Sequence, residues 1–268
     1  LNDEEKRNII KTVDFFKYYI FYCDALYVPA ERAILNLLKQ ASFGFQLLKI
    51  AIPNHLLGYG NLFEIASKNI SELNLNFLSK NTSYKFENGV DKIYFSKNEN
   101  VKLSESASSF QSIIPLLLPI INEKENQNKQ YSFVIEEPET NLFPKAQYEL
   151  MKFLEKDRKD DFGMIDKGSI HTYTTHSPFI LSSLNNMLYA YKMGLIDRKN
   201  KNIIEKISKI IPEENWIDPN TFSAYEIKNG KAKNIFDRKS GLIKENAIDL
   251  ISEDIIEDFR KIAIATIE

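Results

Sequence analysis

Cysteine is nearly absent from this chain of 268 residues. Cys23 stands alone, so no internal disulfide can form and no thiol pair is available to a metal. That usage fits a reducing, cytoplasmic setting. Long apolar runs are missing as well. The longest, IIPLLLPII (113–121), falls short of the roughly 18–20 residues that cross a bilayer, and Pro115 and Pro119 interrupt it. No membrane partner is expected, and the opening LNDEEKR does not read as a signal peptide. Charge of one sign is not in excess either: the formal net charge is -2, which argues against a global polyanion-binding surface but leaves room for a local basic patch. There is no internal repeat and no long low-complexity linker.

What is present is a chain that can build a core. Hydrophobic residues make up 43% and aromatics 12%, enough for one large domain or two small ones. Residues 3–26 read as a helix, with Asp3, Glu4 and Glu5 in its first turn, where the helix dipole favours negative charge. YVPAERAILNLLK (27–39) reads as an extended entry followed by a helix, with Pro29 near its start. A mostly apolar, helical stretch spans 43–78, interrupted by Pro53 and by Gly58 and Gly60.

The texture then changes. TSYKFENGVDKIYFS (82–96) carries two short β-like runs around Asn88-Gly89, and AYEIKNGKAKNIF (224–236) does the same around Asn229-Gly230. A serine-rich loop leads into an apolar helix over 102–121, and 122–130 reads as a polar surface loop. SFVIEE (132–137) and SIHTYTT (169–175) read as strands. PKAQYELMKFLEK (144–156) is an amphipathic helix opening on Pro144, and PFILSSLNNML (178–188) a shorter one. DRKDDFGMIDKG (157–168) is a charged connection, and 251–267 an amphipathic helix. Strand–helix units in the middle favour an α/β class with a mostly parallel sheet. The organisation expected is a helical and hairpin-bearing region over 1–100 and an α/β lobe over 101–268.

The chemistry concentrates at 131–150, YSFVIEEPETNLFPKAQYEL. A glutamate pair at a strand end is commonly just solvated. The preceding FVI argues for more, because an all-apolar strand belongs in a buried parallel sheet, and ligands bind beyond the carboxyl ends of such strands. There, one carboxylate is well placed to hold a hydrated Mg²⁺ and the other to orient a water.

This segment resembles the Walker B region of the ABC-type ATPase superfamily, in its soluble RecF-, SMC- and OLD-like branch, often catalogued as AAA ATP-binding proteins. The resemblance implies a P-loop NTPase-like fold, with Glu136 on the Mg²⁺ side and Glu137 as catalytic base. Pro138 to Pro144 would be the D-loop region, with Asn141 near a dimer partner. TTHSPFILSSL (174–184) resembles the switch-histidine loop, which implies a γ-phosphate contact for His176. ESASSFQSIIPLLL (105–118) resembles the signature loop and helix, placing Ser108 on the signature serine, Ser109 on its glycine and Gln111 on its glutamine. A serine in the glycine position obstructs close backbone approach to phosphate. The bland reading of that stretch is a serine-rich loop capping a core helix. YVPAER (27–32) resembles a Pro-x-x-Arg element of the same branch, and 224–243 its C-terminal hairpin.

One expected part is missing from these residues. A G-x-x-x-x-G-K-[ST] phosphate loop does not occur: Lys167 precedes Gly168, and Gly230-Lys231 sits in a hairpin turn. Since the chain also opens without methionine, an N-terminal lobe carrying that loop is expected to precede it. The resemblance implies ATP and Mg²⁺ as cofactors, a head-to-tail homodimer, and DNA, a nuclease or another genome-maintenance or phage-defence component as partner. With no Toprim-like domain in these residues, nuclease activity is not expected here. The rival expectation is a degenerate, non-hydrolysing interaction scaffold.

Overall fold

An apolar strand flanked on both sides by other strands can satisfy its backbone only through two ladders, and the FVI run does so. The computed structural model describes residues 24–39, 51–125, 131–156, 169–196, 201–244, 246, 248 and 256–262. They fall into two compact units, Leu1–Phe143 with Arg158–Thr175, and Pro144–Asp157 with His176–Glu268.

The first unit opens with β1 (Asp24–Val28), which runs into a 3₁₀ turn over Ala30–Ile34 and helical residues 35–39. Residues 24–26 are therefore strand where a helix was expected; the rest of that expected helix lies outside the described residues. Helix α1 (Asn54–Asn69) follows Pro53 and passes straight through Gly58 and Gly60, so the glycines do not interrupt it. At Gly60 a side chain would press on Leu35, with a Cβ 3.3 Å from Leu35 Cδ2. Close packing explains that glycine better than a break does.

Strands β2 (Glu72–Asn74), β3 (Ser83–Glu87), β4 (Val90–Tyr94) and β5 (Asn100–Lys102) form an antiparallel sheet in chain order. The β3–β4 turn is the expected one: Asn88 and Gly89 have φ of 52° and 78°, the left-handed pair that a two-residue hairpin requires. Lys39 ties this sheet to the helices. Its ammonium lies 2.7 Å from Asp91, which also accepts from Tyr84, and sits over the rings of Phe63 and Phe86.

Helix α2 (Ser108–Glu125) is buried almost all round, from Phe110 through Ile120, as its composition demands. It is longer than expected, taking in 122–125 from the predicted loop, and it contains both Pro115 and Pro119. A proline inside a helix removes the N–H that would serve the carbonyl four residues earlier. Both orphaned carbonyls are met by side chains. Asn36 donates to Gln111 O at 2.8 Å, and the buried Tyr59 hydroxyl to Pro115 O at 2.7 Å. The helix survives its prolines because its neighbours complete it.

Strand β6 (Tyr131–Glu136) lies between β1 and β7 (Ile170–Thr174), parallel to both. Val28 stands beside Ile135 and Thr174 beside Glu136. The carboxyl ends of all three strands thus share one edge, and α2 packs on β6.

The second unit contains α3 (Pro144–Lys156), matching its predicted bounds and burying Gln147, Leu150, Met151 and Leu154 on one stripe. Helix α4 (Pro178–Ile196) is eight residues longer than the sequence suggested, and α3 packs on it. Helix α5 (Lys201–Ser208) precedes Trp216, whose indole donates to Ile211 O at 2.8 Å and lies against Gly194. Two ribbons follow. The predicted hairpin is β8 (Tyr225–Lys228) with β9 (Lys231–Asn234). The other is β10 (Phe236–Asp237) with β11 (Leu242–Ile243). Asn185 grips the second, accepting from Ile243 N at 2.7 Å and donating to Ile243 O at 3.1 Å. Of the predicted C-terminal helix, 256–262 is helical and the remainder lies outside the described residues, as does the 157–168 connection.

Candidate functional site

The site is built where the three parallel strands end. Glu136 is the last residue of the central strand and is half-buried. Its carboxylate accepts from the Tyr27 hydroxyl at 2.6 Å and from the Ala30 amide at 3.4 Å. Both donors come from the end of β1, so the neighbouring strand aims this carboxylate. The hydrogen bond to Glu136 in turn pushes the Tyr27 hydroxyl up to about 12, with burial and the negative charge of Glu136 and Glu31 adding to it.

Glu137 leaves the strand in the left-handed region, at φ 41°. Its amide still donates to Thr174 O at 2.9 Å, extending the β6–β7 ladder by one residue. Its carbonyl and carboxylate then serve the turn: Thr140 N donates to Glu137 O at 3.0 Å and Thr140 Oγ1 to Oε2 at 3.3 Å. Leu142 N closes a second turn onto Glu139 O at 2.9 Å, with Asn141 exposed and left-handed at φ 63°. Thr175 donates to the Glu139 carboxylate at 2.7 Å, so the segment after β7 holds the segment after β6.

Behind the pair lies Arg32, fully buried. Its guanidinium reaches four backbone carbonyls: Nη1 donates to Pro29 O at 3.1 Å and Glu136 O at 2.8 Å, Nη2 to Glu137 O at 2.9 Å, and Nε to Ser112 O at 3.1 Å. Burial lowers its pKa from the usual value, while Tyr59, Glu139, Glu137 and Glu136 act to raise it. Arginine remains charged throughout the accessible pH range.

The other predicted residues occupy separate places. Ser108 is exposed at the start of α2 and Ser109 is half-buried beside it. Gln111 turns its amide back onto the preceding loop, donating to Ser106 O at 2.8 Å and Ser104 O at 3.2 Å. Arg32 and Asn36 bond to the carbonyls of Ser112 and Gln111, so this helix start is tied to the strand-end segment. His176 is exposed and begins the second unit. Ser177 after it accepts from Phe179 N at 3.2 Å, capping α4 ahead of Pro178 at the first helical position. Ser177 also donates to Gln147 at 2.5 Å. The Thr-His-Ser-Pro run is thus a strand end followed directly by a helix cap.

The sequence reading missed Tyr27, Thr140 and Thr175, and gave Arg32 no role. The one signal for the last was the Pro-x-x-Arg spacing itself.

A half-buried carboxylate pair at the open end of a parallel sheet suits a hard cation, which takes oxygen ligands. Among the described residues no group of three or more His, Cys, Asp or Glu is gathered for a metal. A magnesium ion carried by a nucleotide needs only one or two protein carboxylates, because phosphates and water complete its shell. The donor set fits that arrangement, with Glu136 as the side chain already oriented.

The class defined by this fold and edge is an α/β nucleotide-binding ATPase module with a P-loop NTPase-like parallel sheet. Residues 31–181, more than half of the chain, match the AAA ATPase domain family, and the chain belongs to it. No curated protein matches the chain. No helix among the described residues is long and apolar enough to cross a membrane.

Proposed function

We propose that this chain is part of an ABC-type ATPase head of the RecF-, SMC- and OLD-like branch, and that Glu137 activates the water that attacks ATP. The observation that carries this reading is the Glu136–Glu137 pair at the carboxyl end of the central parallel strand, with each backbone carbonyl held in place. Glu136, aimed by Tyr27, would take the magnesium side. Magnesium supplies charge neutralisation at the phosphates when bound. Glu137 would accept the proton of the attacking water, and Thr140 would orient its carboxylate.

In the same reading His176 contacts the γ-phosphate, Ser108, Ser109 and Gln111 face the nucleotide of a second copy, and Asn141 lies near that copy. Such a module works as a nucleotide-driven homodimer in the cytoplasm, acting in DNA maintenance or phage defence with DNA or a nuclease as partner. The 268 residues contain no G-x-x-x-x-G-K-[ST] run, so this reading calls for a phosphate-binding loop in another part of the gene product. We propose 1–100 as part of the head or an insertion in it and 101–268 as its C-terminal lobe.

The test is Glu137→Gln in the complete gene product. ATP turnover is expected to fall by about 100-fold or more, within the range that general-base removal reaches, with nucleotide binding retained. Unchanged turnover rules out Glu137 as the base. The missing loop and Ser109 in a glycine position favour a second reading, a scaffold that does not hydrolyse. Absence of ATP-analogue binding at millimolar concentration selects the scaffold.

A further inference from the structure

We propose that Arg32 is a positioning residue that locks the backbone of Glu136 and Glu137 to the start of α2, so that the base and the serine-bearing helix start move as one body. The side chain is fully buried, yet all its hydrogen bonds go to backbone carbonyls and, among the described residues, none goes to a carboxylate. Burying a guanidinium is costly unless its donors are well satisfied, and here the backbone carbonyls satisfy them.

These bonds accomplish two things. In a strand, successive carbonyls point to opposite sides. Here the carbonyls of Glu136 and Glu137 converge on one guanidinium, at 2.8 and 2.9 Å, and that convergence demands the break in the strand seen as the left-handed φ of Glu137. Arg32 therefore stabilises the conformation that carries the Glu137 side chain off the strand edge. The Nε–H of the same planar group donates to Ser112 O, four residues beyond Ser108. One planar, rigid group thus fixes the geometry between two segments 24 residues apart in the chain, Ser112 and Glu136. Lysine cannot imitate this, because a single ammonium cannot span the fork.

The catalytic half of this proposal rests on the ATPase reading; the mechanical half does not. The experiment uses Arg32→Lys in the complete gene product, beside the unaltered protein and Glu137→Gln. In Arg32→Lys, kcat is expected to fall by about 10–100-fold, the scale of a small misplacement at the reacting centre, with KM for ATP unchanged, since Arg32 is walled off from solvent. Amide exchange in 108–113 and 137–142 is expected to quicken together, while the β3–β4 hairpin is unaffected. If Arg32→Lys fails to fold, the unaltered protein decides: the two segments are expected to open in one step with a common denaturant dependence. Separate opening of the two segments overturns the clamp. Full turnover in Arg32→Lys, when Glu137→Gln abolishes it, overturns the catalytic half alone. Absence of turnover in the unaltered protein overturns the ATPase reading together with that half, and exchange still decides the clamp.

Discussion

The amide of Glu137 donates to the carbonyl of Thr174 at 2.9 Å although Glu137 itself has already turned left-handed, at φ 41°. The ladder thus runs one residue into the loop and pins the strained residue from the β7 side. A left-handed residue other than glycine or asparagine costs roughly 1–2 kcal/mol. Glu137→Asn, whose side chain tolerates this region, is expected to raise stability by about 0.5–1 kcal/mol in urea unfolding. Hydrolysis should be lost at the same time. Loss of stability in Glu137→Asn would show that the conformation is not strained.

Tyr27 gives a pH dependence. Its hydroxyl is held neutral by its bond to Glu136 and titrates near 12 in the fold, against about 10 in the unfolded chain. A raised tyrosine contributes stability that is complete below the unfolded value and is lost as pH climbs through the folded one. The difference in stability between the protein and Tyr27→Phe should therefore be constant up to about pH 10 and shrink toward about 12. A difference that grows with pH reverses the assigned sign. Because Tyr27 also holds the carboxylate of Glu136, which we propose as the magnesium-side group, Tyr27→Phe should raise the magnesium requirement of turnover by about tenfold, as loss of an outer-shell partner does.

Tyr59 and Pro119 should be energetically coupled. The Tyr59 hydroxyl serves the carbonyl of Pro115, which Pro119 leaves without a helical donor. Tyr59→Phe is expected to cost about 1–3 kcal/mol, the penalty of a buried unsatisfied carbonyl. In a Pro119→Ala background the helix regains its own N–H, and the cost should drop by about 1 kcal/mol or more. A double-mutant cycle with no interaction energy removes this account of the helix.

Gly194→Ala should destabilise the second unit by about 1–3 kcal/mol, as overpacking does. The added methyl would overlap the Trp216 ring, which is held by its bond to Ile211 and cannot swing away freely. Trp216 is the chain's single tryptophan, so its fluorescence reports the change directly. Trp216→Phe in the same background should recover part of the loss.

The parts legible in sequence were those written locally. Two Asn-Gly hairpins, the α3 amphipathic stripe and the apolar FVI strand all carry their pattern within a few residues. Residues 24–26 were misread because β1 earns its identity from Tyr131 to Ile135, more than a hundred positions away, through register rather than period. A short aromatic run does not say which partner it will find. The helix through Pro115 and Pro119 was legible, but the donors that complete it were not, because Asn36 and Tyr59 lie far upstream. For the site, the two glutamates stood out as an expense at a strand end. The groups that aim them did not, since Tyr27 and Arg32 meet Glu136 only after β1 lies alongside β6.

The two prolines of α2 also bear on the order in which the chain folds. An isolated peptide of 108–125 would have carbonyls at Gln111 and Pro115 that only water could serve, so its helix would be marginal. It gains full hydrogen bonding only when Asn36 and Tyr59 arrive on neighbouring segments. Helix formation and docking are then a single event. A hierarchical path, in which a finished α2 waits for its partners, is thereby disfavoured, and α1, α2 and the Arg32 turn are expected to consolidate together.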